Sequence, residues 1–152
     1  MPNYKGHIRG GIVAFVLVVL FALPHHHPSA ITMLEWLLFA IAGSLFPDVD
    51  IKSKGQKYFY RIMLVLFGIL ALNQQYKQLA AISILALLPL LVNHRGIFHR
   101  IWFVVLAPLL IWYGVSTQFP TLCTPLLFDV IFFIAGAISH LWLDMGVRML
   151  RL

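Results

Sequence analysis

The sequence predicts an all-α protein, a polytopic transmembrane helical bundle of about six spans forming one integral membrane domain over residues 1–152. Three observations predict this class. Residues of the set AVILMFWYC make up 61% of the chain, against about 45–50% by a similar count in soluble domains. Charged residues make up only 11%, where about 25% is usual. The apolar residues also occur in long blocks, so lipid is the natural solvent for most of the chain.

The first two predicted spans are residues 10–23 and 30–46. The first follows Lys5 and Arg9, an arrangement that also begins a secretory signal peptide. We expect a retained span instead, because the small-residue cleavage site is missing, a Pro-His-His-His-Pro segment stands in its place, and further apolar runs follow directly. Prolines in that segment separate the two spans, and Pro47 ends the second.

The other four predicted spans are residues 58–72, 79–92, 97–115 and 126–145. Polar or helix-breaking residues separate them, namely Asn73-Gln74-Gln75, then Asn93, then Pro120. Several runs are shorter than the roughly 20 residues needed to cross a 30 Å hydrocarbon core. We expect their helices to extend into flanking polar residues, or the bilayer to become thinner around them.

Basic residues are distributed unequally between the two sides of this topology. The net charge is +6, from 11 Lys and Arg against five Asp and Glu. All the basic residues except Lys77 fall on one side of six crossings, and cytoplasmic segments carry an excess of Lys and Arg. We therefore predict that both termini are cytoplasmic. In a membrane protein this charge indicates contact with anionic lipid headgroups, so membrane lipid is the predicted partner and nucleic acid is not.

Seven ionisable side chains are predicted to lie at this same basic face. They come from four stretches of chain: before the first helix, after the second, between the fourth and fifth, and near the end of the sixth. Imidazole and carboxylate are the ligands of zinc and similar divalent ions, and carboxylates at a membrane boundary are costly unless paired or coordinated. The candidate metal ligands are His7, Asp48, Asp50, His94, His99, His140 and Asp144.

Each of these residues also has an explanation that needs no metal. Asp48 and Asp50 stand beside a proline, where carboxylates cap turns, and the histidines outside the sixth span suit the headgroup region. His140 and Asp144 share one helix face and could satisfy hydrogen bonds between helices. All these explanations would have to hold together, so we favour a shared site. Seven candidates suffice for two ions, or for one ion with a second shell, and the spacing leaves both open.

Four short motifs in this order resemble a known family. They are Gly6-His7, Phe46-Pro47-Asp48-Val49-Asp50, His94-Arg95-Gly96-Ile97-Phe98-His99-Arg100 and Gly136-Ala137-Ile138-Ser139-His140-Leu141-Trp142-Leu143-Asp144. The chain resembles the YdjM-like family of bacterial inner-membrane metal-dependent hydrolases, also described as LexA-binding. Arg100 stands where that family has a small hydroxyl residue. The resemblance implies a multi-pass protein of the bacterial inner membrane, with a cytoplasmic regulatory protein as a partner.

The leading hypothesis is a metal-dependent hydrolase with its site at the cytoplasmic face. The predicted cofactor is a divalent metal ion, zinc first and manganese or magnesium next, which lowers the pKa of a bound water and polarises the scissile group. Asp50 is the predicted general base if it is not a ligand. Arg95, with Arg100, suits an anionic oxygen, because guanidinium pairs bidentately with phosphate. The favoured substrate is therefore a phosphate ester or diester of a lipid, an anionic one among the candidates, with a peptide or amide bond as the alternative.

Two other classes of protein are compatible with the sequence. One is a non-enzymatic membrane protein that binds or transports a divalent metal through the same ligands, without an activated water. Transporters usually hold their ions near the bilayer midplane between broken helices, whereas these candidate ligands lie at one boundary, which favours the enzyme. The other is an adaptor for a cytoplasmic protein, which would use the basic loop at residues 52–61 and need no metal.

Overall fold

The structure, a computed structural model, describes residues 3–22, 26–91 and 97–146. Helices make up 90% of these residues, and no strand occurs among them. The six α-helices are α1 (Tyr4–Ala22), α2 (Ala30–Leu45), α3 (Lys54–Leu72), α4 (Tyr76–Leu91), α5 (Ile101–Gln118) and α6 (Cys123–Met145). Short 3₁₀ turns, Phe46–Asp50, Ile97–His99 and Pro120–Leu122, adjoin α2, α5 and α6. The predicted all-α class is confirmed.

Five helical segments of the described chain are long and apolar enough to cross a membrane: α1, α2 with its following turn, α3, α5, and α6 with its preceding turn. The fourth helix is shorter, because α4 has 16 residues and is about 24 Å long at 1.5 Å per residue. A bilayer core measures about 30 Å. The predicted transmembrane bundle of about six spans thus corresponds to six helices, five of which have spanning length.

The first helix begins earlier than its apolar run. Asn3 caps it, since its side-chain oxygen accepts a hydrogen bond from the Gly6 N–H at 3.2 Å, which satisfies one backbone donor of the first turn. The helix therefore begins at Tyr4. The prediction that His7 precedes the first helix is wrong, because apolar residues mark only the part of a helix that meets lipid, and the hydrogen-bonded backbone continues beyond it.

The sixth helix is the centre of the bundle, and α1, α2 and α5 all pack against it. Its contact with α2 is backbone to backbone. A Cβ on Gly43 of α2 would collide with the carbonyl of Phe133, and a Cβ on Gly136 of α6 would collide with the carbonyl of Ala40. Small residues permit this close approach. The α3–α4 pair packs against the turn Phe46–Asp50, so this turn joins the two parts of the fold.

Candidate metal centre

Four of the candidate ligands converge at one end of the bundle. Asp48, His99, His140 and Asp144 each offer one ligand atom, and these four atoms lie within 4.8 Å of one another. They come from the turn after α2, the turn before α5 and the last turns of α6. Three of the side chains are at least 96% buried, and Asp48 is 22% exposed. This group could hold a metal ion.

The turn that carries Asp48 forms because α2 cannot continue through Pro47, which lacks the N–H that a longer helix would use. The side chain of Ser53 then connects the turn to α3. Its hydroxyl donates to the carbonyl oxygen of Asp48 at 2.8 Å and accepts a hydrogen bond from the Gln56 N–H at 3.0 Å. The residues on either side of Asp48, Pro47 and Val49, are buried. Asp48 is therefore held by its neighbours along the chain.

The turn that carries His99 is separate from α5, because Arg100 adopts an extended conformation (φ −95°, ψ 129°). The fifth helix consequently begins later than its apolar run predicts. Phe98 is buried and meets the ring of Phe46 edge-on, with centroids 5.5 Å apart, so the two ligand-bearing turns pack against each other. His99 Nε2 lies 3.7 Å from Asp48 Oδ1.

His140 is held in one tautomer. Its Nδ1 lies 2.8 Å from the carbonyl oxygen of Ser44, and since a carbonyl only accepts, Nδ1 carries the proton. In the neutral ring Nε2 is then unprotonated, and it faces Asp48 Oδ1 at 3.5 Å and Asp144 Oδ2 at 3.7 Å. Among the residues that the structure describes, this buried nitrogen has no hydrogen-bond partner. Histidines that bind metals commonly donate their other N–H to a backbone carbonyl in this way.

Three of the separations between ligand atoms are longer than hydrogen bonds and close to those expected around a shared ion. Hydrogen-bonded N···O pairs are about 2.7–3.2 Å apart, whereas three of the four nitrogen–oxygen pairings within the group measure 3.5 to 3.7 Å, and all four ligand atoms lie within 4.8 Å of one another. Two ligand atoms bound tetrahedrally at zinc distances of about 2.0–2.2 Å are about 3.3–3.6 Å apart. The chemistry of the donor set, two imidazoles and two carboxylates, also fits a divalent ion.

His7 lies directly beside this group. Its ring stacks on that of His140, with centroids 3.8 Å apart and planes inclined by 17°. Its Nε2 lies 3.6 Å from Asp144 Oδ1, while the other oxygen of Asp144 faces His140. His7 is outside the four-residue group, so its position suits either an additional ligand or a neighbour that orients Asp144.

The remaining predicted site residues are placed differently. Asp50 ends the turn that carries Asp48, with its carboxylate buried, and it is not a member of the four-residue group. His94 and Arg95 lie outside the described residues.

The carbonyl of Ser44 is the contributor that sequence reasoning missed. A backbone oxygen leaves no trace in residue type. The sequence does offer one signal for this contact, a glycine on each helix: Gly43 beside Ser44, and Gly136 one turn before His140. Small residues on both helices indicate that their backbones touch at this level.

The fold and the cluster define a polytopic helical membrane protein with a candidate metal centre at one end of its bundle. Residues 1–149 match the family described as YdjM inner membrane protein, and the chain belongs to that family. The resemblance based on the four motifs is thereby confirmed, together with the inner-membrane location. No curated protein and no solved structure matches the chain.

Proposed function

We propose that the chain is a metal-dependent hydrolase that binds a divalent ion, zinc in the first place, through Asp48, His99, His140 and Asp144. The observation that carries this proposal is the buried Nε2 of His140, which faces two carboxylates without a hydrogen bond from any described residue. Burying polar atoms in this way is unfavourable unless a partner satisfies them. One cation at the centre of the group would give this nitrogen a partner and could be bound by all four side chains. Zinc comes first because it accepts both imidazole and carboxylate ligands.

A divalent ion held here supplies a lowered pKa for bound water and a positive charge that polarises the scissile group. In the proposed reaction a water oxygen adds to phosphorus, the bond from phosphorus to the leaving oxygen breaks, and the leaving alcohol takes up a proton. Asp50 accepts the proton of the water as general base. Its position outside the ligand group supports this role.

The proposed substrate is a phosphate ester or diester of an anionic membrane lipid. The centre lies at the end of helices that have spanning length, where lipid headgroups are within reach. Asp48 is the most exposed of the four ligands, so the substrate approaches past this side chain. Arg100, which follows His99 and is exposed, suits a phosphate oxygen because guanidinium forms charge-assisted hydrogen bonds with it. The anion-binding role of Arg95 and the cytoplasmic regulatory protein stay predictions.

Hydrolysis by the metal-loaded protein tests this function. In mixed micelles of anionic lipids with added zinc or manganese, the protein is expected to release phosphate or headgroup. Asp50→Asn keeps the size of the side chain and removes the base, so we expect turnover to fall about 100-fold or more while metal content, measured by atomic emission, is unchanged. Glu35→Gln is the matched control, because Glu35 is an exposed carboxylate on α2, and its turnover should equal that of the wild type.

A different result would support transport of the metal instead of hydrolysis. A wild-type protein that holds metal, hydrolyses none of these lipids and mediates zinc uptake into proteoliposomes would replace the hydrolase with the transport alternative.

We further propose that the centre faces the cytoplasm, as the excess of basic residues on its side of the membrane indicates. The test uses single cysteines in a Cys123→Ser background, since Cys123 is the one cysteine of the chain. Lys54 begins α3 at the end that carries the centre, and Gln75 follows its other end. In intact spheroplasts an impermeant maleimide should label Gln75→Cys, and Lys54→Cys only after permeabilisation. Labelling of both from one side would contradict the topology.

A further inference from the structure

An apolar groove lies between α1 and α6. Its volume is about 720 Å³, within the range of roughly 300–1,000 Å³ typical of ligand sites. The α1 wall runs from Arg9 to Val18 and the α6 wall from Ala135 to Leu143. Arg9 is the one charged residue among the described residues that line it, and it stands at one end. The groove is therefore apolar along its length and cationic at its rim.

The length of the groove matches the depth of one lipid leaflet. At 1.5 Å per residue, each of its walls is about 12–14 Å long. Half of a 30 Å hydrocarbon core is about 15 Å. Both helices have spanning length, so the groove follows the direction in which an acyl chain lies in the bilayer.

The cationic end of the groove adjoins the metal centre. Leu143 lines the groove and directly precedes Asp144, while Arg9 follows His7 by two residues. The two helices are in close contact here, because a Cβ on Gly10 would lie 2.7 Å from Leu143 Cδ1. A molecule lying along the groove therefore has its outer end near the Arg9 guanidinium, at the level of the bundle where the candidate ligands lie.

We infer that this groove holds one acyl chain of an anionic phospholipid, with Arg9 paired to the headgroup phosphate at the level of the metal centre. Charge complementarity selects this occupant, because the walls suit an alkyl chain while the rim suits an anion. The identification of that lipid as substrate rests on the proposed function. Binding of the lipid in the groove does not require catalysis, so lipid binding and lipid hydrolysis are tested separately.

Native mass spectrometry of the full-length protein in detergent tests the inference, with phosphatidylglycerol as probe. The wild type should retain one phosphatidylglycerol and prefer it to phosphatidylethanolamine with the same acyl chains. Arg9→Gln should lower retention of phosphatidylglycerol about tenfold, the loss expected for one charge-assisted contact. Ala14→Phe, which fills the groove, should abolish retention. Ala71→Phe makes the same change at an exposed position on α3 and should leave it intact.

Equal retention by the wild type and Ala14→Phe would overturn the inference. A dimer in place of the lipid adduct, lost in Ala14→Phe, would also overturn it by making a second copy the occupant.

If Ala14→Phe does not fold, one equivalent of phosphatidylglycerol brominated in its acyl chains should still quench Trp142, a groove residue. The Trp142→Phe protein shows how much the other tryptophans are quenched. If the wild type is quenched no more than Trp142→Phe, the inference is again overturned. A protein that binds phosphatidylglycerol but hydrolyses no lipid would instead fail the proposed function alone.

Discussion

If the proposed function holds, the His140→Ala protein is expected to lose both the bound metal and the proposed hydrolytic activity. His140 contributes the Nε2 that faces both carboxylates, and its Nδ1–H bond to Ser44 fixes that direction. Loss of an outer-shell partner alone lowers metal affinity about 10–100-fold, so loss of the ligand itself should lower affinity about 100-fold or more. Chelator competition and atomic emission on the detergent-purified protein measure this loss, and lipid hydrolysis measures the activity.

The control for this experiment is His27→Ala. His27 is exposed and lies between α1 and α2, at the end of the bundle away from the centre. Its removal should leave metal content and hydrolysis at wild-type values. A His140→Ala protein with full metal content would show that the cluster is a set of polar contacts between helices and no metal centre.

The second large effect is expected from Gly136→Ala. A Cβ at this position would collide with the carbonyl of Ala40 and approach the backbone nitrogen of Ser44 to 2.9 Å. Backbone atoms cannot move aside as flexible side chains do, so α2 and α6 must separate. We expect the free energy of unfolding to fall by about 1–3 kcal/mol, as overpacked cores show. Metal affinity should fall as well, because the separation draws the Ser44 carbonyl away from His140.

Gly68→Ala provides the matched control, since nothing lies within 4 Å of a Cβ added there on α3. Alanine is the better helix former, so this variant should be as stable as the wild type or slightly more stable. Thermal unfolding in detergent compares the two variants. Equal midpoints for Gly136→Ala and Gly68→Ala would contradict the close contact of α2 with α6.

The two effects are linked through the position of Ser44. The α2–α6 contact that the glycines permit also brings the acceptor of His140 into place. Stability and metal affinity should therefore change together in variants of this contact, whereas Asp50→Asn should affect turnover alone. Comparison of the two classes of variant separates structural damage from loss of chemistry.

The sequence by itself determined the helical class and the approximate spans. A chain this apolar must satisfy its backbone hydrogen bonds internally in lipid, which leaves helices as the solution for its long apolar blocks. It determined the four motifs too, and with them the family. The pairing of His140 with Asp144 was also readable, because a four-residue separation in a helix places both on one face.

Only the tertiary structure decided how the other ligands meet. Asp48 and His99 lie on turns far apart in sequence, and their separation of 3.7 Å depends on how Phe46 and Phe98 pack. The extension of α1 that carries His7 to the ring of His140 depends on the Asn3 cap. Residue type states which ligands exist. The distances between them follow from helix packing and from backbone groups such as the Ser44 carbonyl, which every residue type possesses.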